Sequence, residues 1–133
     1  MQDNELFVIL NPHAAKGKAK KQENMIRTLL GAEGNVVVLC HTEIGNGAER
    51  AAYQAAMDGR KVIIAAGGDG TVNEVANGIL KAVTAHKIQA PALGVIPIGR
   101  GNDFAWGMKI PKPVKDACNV ILAGKTRFID AGV

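Results

Sequence analysis

The chemistry in this chain is most legible at Gly67-Gly68-Asp69-Gly70-Thr71-Val72-Asn73-Glu74. The stretch lies between two patterned segments. Before it, Lys61-Val62-Ile63-Ile64-Ala65-Ala66 is a short apolar run rich in β-branched residues, the mark of a buried strand. After it, Val72, Val75, Ala76, Ile79, Leu80 and Val83 recur at i, i+3, i+4, i+7, i+8 and i+11, the stripe of an amphipathic helix. Three glycines and an aspartate therefore sit in a strand-to-helix turn. Glycine lets the backbone approach a ligand closely and adopt φ > 0. The first turn of a helix offers unpaired N–H groups and the positive end of a dipole. Together these make a phosphate cradle out of backbone. Asp69 needs another reason, because a carboxylate does not bind an anion. It could hold a cation, orient a hydroxyl or accept a proton. A tight turn with a helix cap would explain the glycines, but not Asp69, Thr71, Asn73 and Glu74 crowded into the same turn. Glu74 gains from the helix dipole in a first-turn position, so a local role is open to it.

The elements that must position this turn can be read in order. Leu6-Phe7-Val8-Ile9-Leu10 is a strand ended by Asn11-Pro12, since proline cannot donate to a ladder. The small-residue loop His13-Ala14-Ala15-Lys16-Gly17-Lys18 leads into a helix over about 18–30, with Met25, Ile26, Leu29 and Leu30 inward and Gly31 to Gly34 closing it. Residues 35–41 form a second strand with Thr42 at its carboxyl end. Asn46 and Glu49 have capping-box spacing, and the helix they open runs to about Met57 on a narrow face of Ala48, Ala51, Ala52, Ala55 and Ala56. The third strand, the glycine turn and a helix over 72–83 follow, then a polar connector from Thr84 to Ala92. A fourth strand over 93–98 ends near Pro97, at a second glycine-rich turn, Gly99-Arg100-Gly101-Asn102-Asp103. Asn102 or Asp103 would cap a short helix over 104–108. Val114, Ala117, Cys118, Ile121 and Leu122 mark a last helix stopped by Gly124, and 126–130 read as a strand. Such alternation implies an α/β fold: a three-layer α/β/α Rossmann-like sandwich with a mainly parallel sheet. In it, loops 11–18, 67–73 and 99–103 gather at the strands' carboxyl edge, where open α/β sheets bind ligands.

Composition bounds the partners. A chain of 133 residues suits one domain with a substantial core. Its net charge of +4 fits an anionic partner, such as a nucleotide, a phosphate or an acidic membrane surface, without choosing among them. The lysines cluster near one loop and one helix, without the interleaved aromatics of a base-stacking surface, so a nucleic-acid partner is not expected. No apolar stretch reaches the length of a membrane span, and the polar, acidic start Met1-Gln2-Asp3-Asn4-Glu5 is unlike a signal peptide. Cys40 and Cys118 read as two reduced core thiols of a cytosolic protein, and no Cys/His spacing resembles a zinc site. His13, His41 and His86 read as surface residues.

Three stretches occurring in order carry a family resemblance: Asn11-Pro12-His13-Ala14-Ala15-Lys16-Gly17-Lys18, the turn from Gly67 to Gly78, and Gly94-Val95-Ile96-Pro97-Ile98-Gly99-Arg100-Gly101-Asn102-Asp103-Phe104-Ala105. The chain resembles the nucleotide-binding domain of the diacylglycerol kinase catalytic family, which also holds sphingosine-type and bacterial lipid kinases. NAD kinases and relatives of phosphofructokinase look similar only at the central turn. The resemblance implies ATP and Mg2+ as cofactors and a lipid alcohol, such as diacylglycerol, as acceptor. It implies that Asn11, Pro12, His13, Ala14 and Ala15 line the nucleotide with Lys16 beside them. Thr42 would contact it from the second strand, and Gly67, Gly68, Asp69, Gly70, Thr71, Val72 and Asn73 would hold its phosphates. Asp69, the catalytic candidate, would lie near magnesium or the acceptor hydroxyl, while Asn102 and Asp103 support the pocket. Phosphoryl transfer needs positioning and charge neutralisation more than covalent help, which agrees with this inventory.

The chain departs from the family at Arg100, where threonine is usual, and at Trp106, where arginine is frequent. A cation at 100 could meet phosphate, or could fill the hydroxyl's place and alter the pocket. The family's second, β-rich domain has no counterpart here. Residues 1–133 are therefore expected to be the nucleotide-binding domain alone, a fragment that binds nucleotide weakly and does not turn over by itself, and whose uncovered surface is open to homodimer formation. The expected location is cytoplasmic, and peripheral to the membrane when acting on lipid. Two alternatives stand beside the lipid kinase: an NAD kinase-like phosphotransferase, and a nucleotide-sensing module without catalysis, which Arg100 would favour.

Overall fold

A computed structural model describes residues 5–12, 17–42, 47–98, 107–111 and 113–124. Four strands, β1 (Glu5–Leu10), β2 (Val36–His41), β3 (Val62–Gly67) and β4 (Ala92–Pro97), form one sheet in the order β2-β1-β3-β4. Every pairing is parallel. The helices are α1 (Lys18–Leu30), α2 (Gly47–Met57), α3 (Asp69–His86) and α4 (Val114–Leu122). The expected α/β/α sandwich is the observed one. The strand expected over 126–130 lies outside the described residues, as does most of the short helix over 104–108.

The alternation along β1 and β3 explains the three layers. Leu6, Val8 and Leu10 of β1, with Ile64 and Ala66 of β3, pack against Ala19, Ile26 and Leu30 of α1 and Ala117 and Cys118 of α4. Ile9, Ile63 and Ala65 face the other way, onto the alanines of α2 and onto Val72, Val75 and Ile79 of α3. Strands buried on both faces read as continuous apolar runs, as parallel strands do. The inward set of α1 is narrower than its apolar residues suggested. Met25 is 47% exposed, because it lies about 100° around the helix from the buried stripe of Ala19, Ile26 and Leu30.

Helix α3 begins three residues before its apolar stripe and continues through Thr84, Ala85 and His86. The Val72 N–H donates to the Gly68 carbonyl at 3.1 Å, closing a first turn made of Asp69, Gly70 and Thr71. These residues are thus helical rather than part of a loop. At the far end Lys87, at φ 52°, caps α3 through its N–H to Val83.

The alanine face of α2 packs unusually close to α3. A Cβ placed on Gly78 would stand 2.3 Å from the Glu49 carbonyl oxygen and 2.9 Å from Ala52 Cβ. The Lys81–Glu49 ion pair, at 3.1 Å, also joins these helices, but its lysine side chain is 65% exposed. Exposed pairs contribute about 0–1 kcal/mol. Close backbone approach, not charge, should therefore hold the layer. We expect Gly78→Ala to lose about 1–3 kcal/mol by overpacking, a fall in Tm of roughly 3–10 °C, while Lys81→Ala stays within about 1 kcal/mol. Calorimetry of the two variants checks the ranking, and an unchanged Tm for Gly78→Ala would count against it.

Candidate functional site

The four strands end nearly level. The register pairs His41 with Leu10, Leu10 with Ala66, and Gly67 with Pro97. The hydrogen bonds continue one step past the ladder: Thr42 N–H donates to the Leu10 carbonyl at 2.9 Å, Asn11 N–H to Ala66 at 3.2 Å, and Ile98 N–H to Gly67 at 2.8 Å. Thr42, Asn11, the Gly67-Gly68 turn and Ile98 are thereby aligned along the carboxyl edge. This is the convergence expected for three of the named positions. His13, Ala14, Ala15, Lys16, Arg100 and Asn102, also expected there, lie outside the described residues.

The glycines of the central turn serve different ends. None has positive φ; among the described glycines that conformation belongs to Gly17, Gly34, Gly59 and Gly124. The freedom to adopt φ > 0 is not used here, because extended Gly68 (φ −89°, ψ −170°) carries β3 directly into α3. Gly67 is required by packing: a Cβ would stand 2.6 Å from Thr71 Oγ1 and 2.9 Å from Thr71 Cβ. At Gly68 a Cβ would approach only the Ile98 carbonyl, at 3.7 Å, and at Gly70 it would meet nothing within 4 Å among the described residues. Neither backbone conformation nor crowding there requires glycine at 68 or 70. The missing side chains leave the backbone of the first turn of α3 without a Cβ at 68 and 70, and its N-cap makes no side-chain hydrogen bond. That turn presents N–H groups at the positive end of an 18-residue helix.

The neighbouring side chains divide into open and sealed. Asp69 is half-buried at the first helical position and Asn73 is exposed, whereas Thr71 and Val72 are buried. Val72 faces the α2–α3 core, so residues 71 and 72 can offer a ligand only backbone. Glu74 differs from expectation. Because α3 starts at Asp69, it stands in the second turn, where the dipole acts weakly. Its Oε1 is sealed from solvent and has no hydrogen-bond partner among the described residues. The apolar pattern marks Glu74 only as a helix residue, and the burial of its Oε1 is visible only in the folded chain.

For a metal, no group of three or more His, Cys, Asp or Glu among the described residues could form a cage. Asp69, the carboxylate at the turn, fits the other mode. Mg2+ is commonly held by one or two carboxylates together with substrate phosphates and water.

The described histidines and cysteines have other surroundings. His41 is exposed, as expected for a surface residue, but its Nε2 contacts Glu23 Oε1 of α1. That hydrogen bond, with the charges of His41 and Arg27, holds the Glu23 carboxyl below its usual range despite some desolvation. His86 also has a partner, the Tyr53 hydroxyl at 2.6 Å. Cys40 and Cys118 are free thiols, and burial pushes Cys118 up to about 11, away from reactivity.

Comparison with known proteins adds an independent line. A family model for the diacylglycerol kinase catalytic domain matches residues 5–133. A protein named diacylglycerol kinase from Staphylococcus aureus (strain bovine RF122 / ET3-1) is 38% identical over 125 residues, covering 94% of this chain and 38% of its own length. The protein of that name from strain MRSA252 matches to the same extent. A crystal structure of a diacylglycerol kinase from Bacillus anthracis strain Sterne superposes with a TM-score of 0.79 at 29% identity, over 92% of this chain and 40% of that one. The chain thus spans about two fifths of the length of the relatives it matches.

The contrast between crowded Gly67 and open Gly70 is testable. Gly67→Ala should cost about 1–3 kcal/mol of stability. Gly70→Ala should be neutral or gain up to about 1 kcal/mol, as alanine replaces glycine in a helix. Urea titrations decide it, and equal losses at both positions would remove the distinction.

Proposed function

The chain belongs to the diacylglycerol kinase catalytic-domain family, and from that premise we propose that it is the ATP-binding domain of a lipid kinase. The reaction is transfer of the γ-phosphate of ATP to a lipid hydroxyl such as that of diacylglycerol. The observation that carries this reading is the start of α3 directly at the strand ends, in line with Asn11 and Thr42, where a Cβ at Gly68 or Gly70 would meet little among the described residues.

In this reading the phosphates lie against the backbone N–H groups of the first turn of α3, where hydrogen bonds and the dipole act together. The rest of the nucleotide extends along the edge toward Asn11 and Thr42. Glu74 accepts a hydrogen bond from a nucleotide hydroxyl, which would give its sealed oxygen the donor it lacks. Asp69 is the residue that would hold Mg2+, and the ion when bound would neutralise charge on the transferring phosphoryl group. Asp69 could instead orient the acceptor hydroxyl, and the two roles predict different defects. Loss of the metal contact weakens Mg-ATP binding. Loss of the hydroxyl contact leaves binding intact and lowers turnover in the longer protein. The acceptor side belongs to the part of such proteins beyond the matched region, so residues 1–133 are proposed to form the nucleotide half of a two-domain kinase. It would work at a membrane surface, and no helix among the described residues is long and apolar enough to cross one.

Titration of Mg-ATP into the 133-residue chain, followed by amide NMR, tests the proposal. Shifts should cluster at residues 11–12, 42 and 67–70. Gly68→Val and Gly70→Val should remain folded and lose them. Glu74→Gln should weaken binding by about 1–2 kcal/mol, roughly ten- to thirty-fold, without lowering Tm. Absence of shifts at millimolar ATP in the parent chain, or undiminished shifts in both valine variants, would reject the site.

A further inference from the structure

We propose that His41 and Glu23 form a proton-sensitive clasp that fixes the carboxyl end of β2 and so positions Thr42 at the candidate site. Strand β2 is the weak point of that edge. In the order β2-β1-β3-β4 it has β1 as its one neighbour among the described residues, whereas β1 and β3 are held on both sides. It contains no fully buried residue. Past the ladder, Thr42 is tied to β1 by one backbone hydrogen bond among the described residues, its N–H to the Leu10 carbonyl at 2.9 Å.

The clasp continues the packing of β2 on α1. Val37 and Leu39 lie against the core that contains Ile26 and Leu30 of α1. His41, two residues further along the strand, is on the same face. Glu23 stands one turn before Ile26 on α1. There Glu23 Oε1 meets His41 Nε2, and Glu23 Oε2 faces Arg27 Nε at 3.7 Å. Among the described residues, the charged groups around His41 are therefore Glu23 and Arg27 of α1, with Lys20 one turn before Glu23. From β1 its register partner is the apolar Leu10.

The contact is too exposed to hold the fold. The side chains of His41 and Glu23 are 47% and 23% exposed, and pairs of that kind change a global equilibrium by about fivefold at most. At a strand end the same factor matters, because chain segments there open locally at little cost. Shifting the local equilibrium at Thr42 changes a ligand's apparent affinity by up to the same factor. Glu23 supplies a constant charge. Its hydrogen bond from His41, with the charges of His41 and Arg27, holds its carboxyl below the usual range despite some desolvation. Its half of the clasp is therefore present above that range and is lost only as pH falls through the lowered value. A histidine changes charge between about pH 5 and 8, so His41 is the half that switches. Protonated, it gives the carboxylate a charge-assisted hydrogen bond, and neutral, a weaker one. The inference rests on the reading of Thr42 as a nucleotide contact, whereas the clasp itself can be measured without nucleotide.

Two measurements on the 133-residue chain test the clasp. The first is amide hydrogen exchange at about pH 5.5, without nucleotide. Glu23→Gln and His41→Gln should speed exchange at Thr42 about two- to fivefold, with Asn11 and Ile98 unchanged. Unchanged exchange at Thr42, or an equal rise at all three amides, overturns the clasp. The second is Mg-ATP affinity at about pH 5.5 and about pH 8. The parent should bind about two- to fivefold more tightly at the lower pH. Glu23→Gln should bind at both as the parent does at the higher pH. His41→Arg keeps a cation opposite Glu23 throughout, and should bind tightly at both. A fall in Tm without this pattern would make the pair merely structural and overturn the coupling. A dependence that persists in Glu23→Gln belongs to another group, such as His13, and also overturns it. Absence of binding in every chain would reject the nucleotide reading, and exchange at Thr42 would then uphold or overturn the clasp by itself.

Discussion

Three consecutive carbonyls at the end of β3 organise this molecule. Ala66 accepts from Asn11 N–H on one side, Gly67 from Ile98 N–H on the other, and Gly68 from Val72 N–H ahead. One strand end therefore fixes the ends of both neighbours and the start of α3. The arrangement requires β3 to pass into α3 without an intervening loop, which is possible only if position 67 lacks a Cβ, because Thr71 fills that space. A buried backbone carbonyl without a donor would be costly, so each of these bonds also secures the burial of its own strand end.

That constraint determines the chemistry open to the edge. With α3 starting immediately after the sheet, its N-terminal amides face the same side as the ends of β1 and β2. Anion binding there needs no cationic side chain, since the N–H groups and the dipole supply the field. The half-buried Asp69 then stands at the first position of α3, where it can meet a metal or a hydroxyl.

Much of this was legible in the sequence, and the exceptions have physical causes. The bounds of α1 and the end of α2 follow from their stop signals, and the four strands from their apolar runs, most clearly β1 and β3, which are buried on both faces, and less so β2, a sheet edge with no fully buried residue. The start of α3 was misplaced because an apolar stripe records only the turns that touch the core, and the first turn rises above the sheet. Met25 was misassigned because neighbouring apolar residues on a helix differ by about 100° in direction, which adjacency in sequence does not show. Glycine-rich spacing located the turn, but could not distinguish Gly67, excluded from bearing a side chain by Thr71, from Gly68 and Gly70, where a Cβ would meet little. That distinction exists only in three dimensions.

Glu74 shows how packing and function can be set against each other. The alanines of α2 and Gly78 of α3 bring two helix backbones nearly into contact, which favours stability by excluding water from the layer. Glu74 lies one turn before Gly78, on the same side of α3. One of its carboxylate oxygens is sealed from solvent with no donor among the described residues. An unsatisfied buried acceptor costs about 1–3 kcal/mol, and more when charged. Glutamine or leucine would fit the helix at lower cost, so stability alone does not account for a carboxylate at this position. A hydrogen-bonding ligand at the neighbouring edge would return that energy on binding, converting a defect of the free protein into affinity.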